Sequence, residues 1–156
     1  MKICLLQVGK TQVNYIQTGI DEYKKRLSKF IDYEEITVSE AKKKTRSIKE
    51  QKQEEAQSIL KQIKPSDLVI LLDEKGKTYS SEEWAVVLQK KMNQSPKRIV
   101  FVIGGAYGFA DELYVKFPQK FALSKMTFTH QMIRLFFVEQ VYRAFSIMKN
   151  SPYHHS

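Results

Sequence analysis

The chain is poor in the residues that mark the commonest site chemistries. Its 156 residues include one cysteine, Cys4, so no intrachain disulfide can form, and a reducing, cytoplasmic setting is expected. Cys4 sits in the apolar run "KICLLQV", where it reads as an inert buried thiol. The three histidines, His130, His154 and His155, form no helical pair and have no cysteine at ligand spacing, so no metal site is expected. No Gly-x-Ser-x-Gly elbow occurs, which leaves a serine hydrolase unsupported. No apolar run approaches the ~20 residues that cross a bilayer. "ICLL" is also too short for the apolar core of a signal peptide. Repeats, low-complexity tracts and a dividing linker are all missing, and one domain over residues 1–156 is expected.

Positive charge, by contrast, is plentiful. Lysine and arginine number 26 against 17 acids, a net +9, which favours a polyanionic partner, nucleic acid ahead of membrane. The densest basic segment is "AKKKTRSIKEQK", Ala41 to Lys52. It reads either as a phosphate track or as a solvated helix face.

Strand and helix signals alternate along the chain. "KICLLQV", "YEEITV", "DLVILLD" and "RIVFVIGG" read as strands, with a brief fifth near "KFALS". Apolar residues at three- and four-residue steps mark helices from Val13 to Phe30 and from Met132 to Met148. Ser47-x-x-Glu50 and Ser80-x-x-Glu83 have the spacing of capping boxes and open two more helices, the first stopped by Pro65. A short helix is expected from about Asp111, and a turn at Gly76. This pattern predicts an α/β fold, a parallel sheet with helices on both faces. Ligands of such folds sit beyond the carboxyl ends of the strands, where "VFVIGGAYGF" places Gly104 and Gly105.

The familiar phosphate cradles do not fit. Gly76-Lys77-Thr78 imitates the tail of a P-loop, but Leu71 stands where the pattern needs its first glycine. Gly105-x-x-Gly108 supplies the last two glycines of a dinucleotide fingerprint, but Ile103 replaces the first. No acid closes a strand about twenty residues on to hold a ribose. The loop carries no cation of its own and suits an apolar or uncharged ligand portion, or simply a tight turn.

The C-terminal third carries a resemblance. "LSKMTFTHQMIR" leads into "VEQVYRAFSIMKNSPYHH", and with "LLDEKGK", "VFVIGGAYGF" and the opening "MKI…L..VGK" these motifs resemble the small SPOUT-class RNA methyltransferases of the RlmH type over essentially the whole chain. One departure is Thr129, where that family has proline before the histidine; another is the tail His154-His155-Ser156, where many relatives carry a basic residue after Tyr-His.

The resemblance implies a C-terminal trefoil knot and a homodimer. It also implies methyl transfer from S-adenosylmethionine to ring nitrogen three of a pseudouridine in large-subunit ribosomal RNA, within assembled ribosomes. Carried onto this sequence, it places the cofactor against Leu72, against Gly104, and against Leu123, Ser124, Lys125, Met126, Thr127 and Phe128. Arg143 is the expected cation beside the developing negative charge. His154 is the expected proton acceptor or base contact, with Tyr153 stacking or hydrogen bonding to the target base. His130 and Arg134, one helical turn apart, are expected on one face near the cofactor loop as RNA contacts, with a dimer contact the alternative for Arg134. The apolar stripe of the last helix, Phe136 to Met148, is expected in the core or a subunit interface. Two other readings stay open. One is an RNA-binding domain of the same fold without catalysis; the other is a flavodoxin-like domain, disfavoured because "VGKTQVN" offers no phosphate loop.

Overall fold

The computed structural model describes residues 1–42 and 47–155; residues 43–46 of the basic segment lie outside the described residues. The expected alternation is present. Strands β1 (Lys2–Val8), β2 (Asp32–Val38), β3 (Leu68–Lys77), β4 (Arg98–Ile103) and β5 (Lys120–Phe121) form one sheet in the order β2-β1-β4-β3-β5. Every neighbouring pair is parallel. The helices are α1 (Asn14–Leu27), α2 (Ile48–Leu60), α3 (Ser81–Asn93), α4 (Asp111–Lys116) and α5 (Met132–Met148), followed by a 3₁₀ turn at Pro152–His155.

The period of two along the central strands assigns each side chain to a face. Ile3, Leu5, Ile99 and Phe101 point into a core covered by α1, α3 and α5. Cys4, Leu6, Val100 and Val102 point the other way, under α2 and α4. Both faces are dry because β1 and β4 are apolar on both sides, as a central parallel strand must be. Cys4 is fully buried, and burial pushes its thiol up to about 12, so it stays protonated and inert. In α5, Phe137, Val138, Val141, Ala144 and Phe145 are core residues, whereas Phe136 remains exposed.

Two boundaries differ from the sequence expectation. Helix α2 ends at Leu60 with Lys61 as its cap, before Pro65 is reached. Gly76 is not a turn: it lies inside β3, and a Cβ there would stand 2.6 Å from the Phe121 backbone nitrogen and 2.9 Å from that of Ala122. Glycine is needed because two backbones touch, β3 against β5 and the segment after it. Both serine caps form, and the reciprocal box closes at Ser80 and Glu83.

The amino end of the sheet is held by Arg98. Its Nη2 donates to Asp67 Oδ2 at 2.6 Å and its Nε to Asp67 Oδ1 at 3.1 Å, while Nη1 reaches Glu34 Oε1 at 3.2 Å. Burial pushes Asp67 upward, but the Arg98 hydrogen bonds, the Lys64 N–H and the Arg98 charge outweigh it and hold the carboxyl below its usual value. A depressed carboxyl contributes stability that is complete above the unfolded-state pKa, about 4, and is lost as pH falls through the folded value. Asp67→Asn is therefore expected to cost about 1.5 kcal/mol at neutral pH and to flatten the acid limb of stability against pH. Urea unfolding at pH 7 and pH 3 checks this; equal losses at both would show that the pair contributes no ionic stabilisation.

Candidate active site

Beyond the carboxyl ends of β3 and β4 lies a cleft of about 790 Å³ with three backbone walls. The first is Leu72 to Lys75, where β3 runs on past its pairing with β4; the second is Ile103 to Phe109, after β4; the third is Ser124 and Met126 to His130, ahead of α5. The volume suits a small organic ligand. Leu72, Ile103, Phe109, Ala122 and Ile133 supply apolar surface, and Lys52, Lys75, Asp73, Glu74 and Asp111 add charges of both signs.

The second wall is a tight turn. Gly105 and Gly108 form an isolated bridge, with the Gly108 N–H donating to the Gly105 carbonyl at 3.1 Å. Gly104 is needed for closeness, since a Cβ there would stand 3.2 Å from the Gly108 carbonyl; a Cβ on Gly105 would meet only the tip of Glu55, 2.5 Å from its Oε1, and that side chain can swing aside. Gly108 is needed for its torsion, φ +82°, and a Cβ there would meet nothing within 4 Å. Since Gly108 lines the cleft, that open space is space a ligand can use.

Side chains brace the walls against one another. The Tyr114 hydroxyl donates to Asp73, joining α4 to β3. Thr127 Oγ1 donates to Glu74 Oε2 at 3.1 Å, joining the first wall to the third. The third wall is anchored where α5 begins. Gln131 accepts the Gln12 N–H at 2.8 Å and donates to the Lys10 carbonyl at 3.1 Å.

The expected site residues fall into three groups. Leu72, Gly104, Ser124, Met126, Thr127, Phe128 and His130 all line the cleft. Leu123 and Lys125 do not: Leu123 turns into a smaller hollow of about 210 Å³ beside Trp84 and Phe121, and Lys125 is exposed to solvent. Arg134 is a clear correction. His130 precedes α5, so the two share no helix face, and Arg134 is 0% exposed. Its Nη2 donates to the Val8 carbonyl at 2.8 Å and its Nη1 to Thr11 Oγ1 at 3.0 Å, so it holds the fold and cannot reach RNA.

Arg143, Tyr153 and His154 do not line the cleft of their own chain. Arg143 and Tyr153 do meet. The Arg143 guanidinium lies 4.8 Å from the centre of the Tyr153 ring, and both side chains donate to Glu139 Oε1, Arg143 Nη2 at 2.8 Å and Tyr153 Oη at 3.0 Å. Tyr153 Oη also lies 2.9 Å from Tyr23 Oη. Burial, then the bonds to Tyr23 and Glu139, push the Tyr153 phenol well above its ordinary value. His154 Nε2 lies 2.8 Å from Glu82 Oε1 at the start of α3.

A family model described as "Predicted SPOUT methyltransferase" matches residues 1–154. The chain belongs to the SPOUT methyltransferase family. Among curated relatives, it is 49% identical over 156 residues to a "Ribosomal RNA large subunit methyltransferase H" of Parabacteroides distasonis, covering 99% of both chains. It is 52% identical to the protein of that name from Flavobacterium psychrophilum, with the same coverage. A probable methylase family protein from Haemophilus influenzae Rd KW20 shares the fold, with a TM-score of 0.50 at 14% identity, over 97% of this chain and 68% of that one.

SPOUT methyltransferases as a class draw their methyl group from S-adenosylmethionine. The cleft fits such a ligand: an adenine and a methionine chain bearing a sulfonium need apolar walls and close backbone approach, and there is no phosphate to cradle. Glu55, Asp73 and Tyr114 were not anticipated from the sequence. Asp73 had a local signal, an acid directly after a buried strand. Glu55 and Tyr114 had none, because helix packing brings them to the walls.

Proposed function

We propose that this SPOUT protein methylates ring nitrogen three of a pseudouridine in large-subunit ribosomal RNA. The observation that carries the reading is a backbone-walled cleft beyond the end of β4, in a chain about half identical, along its whole length, to proteins named for methylating that RNA.

Bound S-adenosylmethionine supplies a methyl group already activated on a positively charged sulfur. Leu72, the turn from Ile103 to Gly108, and Ser124 with Met126 to Phe128 would hold it and keep water out. The acceptor is a weakly acidic imide nitrogen, which gains the methyl and gives up its proton. Arg143 stabilises the negative charge that grows on the ring as the proton leaves. His154, or water beside it, takes that proton. Tyr153 stays a neutral phenol and contacts the base rather than titrating.

Arg143 lies ten residues beyond Ile133 on α5, about 15 Å along the helix axis at 1.5 Å per residue. One chain therefore holds its cofactor walls and its tail apart, and a symmetric dimer brings the tail of one copy to the cleft of the other. Exposed apolar groups on the third wall and α5 suit such a contact. Met126 is 74% exposed, and Phe136 lies 4.9 Å, centre to centre, from Phe128. The knot implied by the family belongs to the same C-terminal third.

The test is transfer of a labelled methyl group to ribosomes lacking the modification, with naked ribosomal RNA alongside. Label recovered as N3-methylpseudouridine is the expected result, on ribosomes ahead of naked RNA. A folded, dimeric protein that binds RNA but neither S-adenosylmethionine nor label would replace this reading with a non-catalytic RNA-binding domain.

A further inference from the structure

Lysines at one edge of the sheet keep unusual company. Lys75 and Lys120 both lie over the Tyr114 ring, at 5.9 and 5.2 Å from its centre. Lys77 lies over Tyr79 at 5.3 Å and Lys116 over Phe117 at 5.9 Å. These are all the lysine–aromatic contacts among the described residues, and they cluster on β3, α4 and β5. Among the described residues none of the four lysines pairs with a carboxylate, whereas Lys2, Lys24, Arg26, Arg98 and Arg143 all do. An ammonium over a ring is steered without being neutralised, so its N–H donors and its charge stay available. The row begins at the cleft, since Lys75 and Tyr114 line it. Lys120 lies on β5, the strand at this edge of the sheet, and Lys75 and Lys77 on β3 beside it.

We propose that this lysine row grips the phosphate backbone of the RNA strand leading to the target nucleotide. The inference rests on the reading of the substrate as ribosomal RNA and adds the surface that holds it. Phosphodiesters fit better than an acidic protein surface because the proposed substrate is itself a polyanion and Lys75, one of the four, lines the cleft that would receive its target base. Lys52 also lines the cleft, but from α2, so the four lysines of β3, α4 and β5 are a separate element.

The test compares two variants carrying the same change in charge. One is Lys77→Gln, Lys116→Gln and Lys120→Gln together, which spares Lys75 in the cleft. The other is Lys61→Gln, Lys64→Gln and Lys97→Gln, exposed residues ahead of β3 and β4 at the opposite end of the sheet. Binding to unmodified ribosomes and to naked ribosomal RNA is measured by filter retention between 50 and 200 mM salt, and S-adenosylmethionine binding separately. Each phosphate contact on a single strand contributes about 0.7 to the logarithmic salt slope, so the edge variant should lose about 2 from the slope and roughly 10- to 100-fold in affinity. The control should lose far less, and both should bind S-adenosylmethionine as the parent does. Equal losses in the two variants, or an unchanged salt slope in the edge variant, overturns the proposal. So does edge-variant weakening confined to a ribosomal protein. Binding is read without methyl transfer, so absence of transfer by the parent sinks the catalytic reading and leaves this test standing.

Discussion

Arg134→Ala is expected to lower stability by about 3 kcal/mol, which for a chain of this size is a drop in Tm of roughly 6–12 °C. The reasoning starts from desolvation. Arg134 is fully buried, and burial, the largest influence, pulls its ionisation below the usual value, with Glu35 and Glu40 partly restoring it. Its Nε has no partner among the described residues, so the fold already tolerates a penalty there. What offsets it is the pair of bonds to Val8 and Thr11, which fasten α5 to the loop after β1. Alanine removes both donors, leaves a buried carbonyl unsatisfied and opens a cavity. Gln131 clasps the same loop, so the loss also loosens the wall from Thr129 to Ile133. Weaker S-adenosylmethionine binding, by several fold, should accompany the lower Tm. Calorimetry and titration of the cofactor check both. An unchanged Tm with a specific loss of RNA affinity would return Arg134 to the RNA.

That residue shows where sequence reasoning stops. The strands, the capped helices and the parallel sheet were legible because each rests on local periodicity: β1 and β4 alternate apolar residues onto two faces, and Ser80 caps α3 as its spacing required. A ligand position at Gly104 was legible because a strand end and glycines mark it, while Leu72 and Met126 to Phe128 came from the family resemblance alone; all of them line one cleft. The spacing of His130 and Arg134 suggested one exposed face. However, helix α5 starts at Met132, after His130, and the position of Arg134 facing the Val8 carbonyl is a tertiary fact. Gly76 misled for the same reason. A glycine after a strand looks like a turn until the neighbouring backbone of Phe121 is known to lie against it. The third gap is the placement of the tail. Nothing local tells that Arg143 and Tyr153 share Glu139, about two helical turns or more from the nearest wall of their own cleft.

The separation of tail and cleft gives the remaining prediction its form. Arg143→Ala should reduce turnover about 100- to 1,000-fold with S-adenosylmethionine affinity retained, because a charge facing the developing anion acts on the transition state more than on the ground state. Gly108→Val should abolish cofactor binding while sparing α5. Gly108 has φ +82°, which a β-branched residue resists, and the added atoms would point into the cleft. Each variant alone is nearly silent in methyl transfer. Mixed in one dimer, they separate the two geometries. If each site takes its walls from one copy and its tail from the other, one site of a mixed dimer has both parts intact. Random pairing makes about half the dimers mixed, so about a quarter of the parent activity returns. If walls and tail of one chain had to serve the same site, every site would carry one of the two defects and no activity would return. Single-turnover transfer to unmodified ribosomes reads the result. Recovery would place the Arg143–Glu139–Tyr153 cluster opposite the cleft of a second copy, where the ~15 Å run of α5 within one chain is no obstacle. Silence would require the 3₁₀ tail to swing across its own α5, breaking the Tyr153 bonds to Glu139 and Tyr23 as the substrate enters.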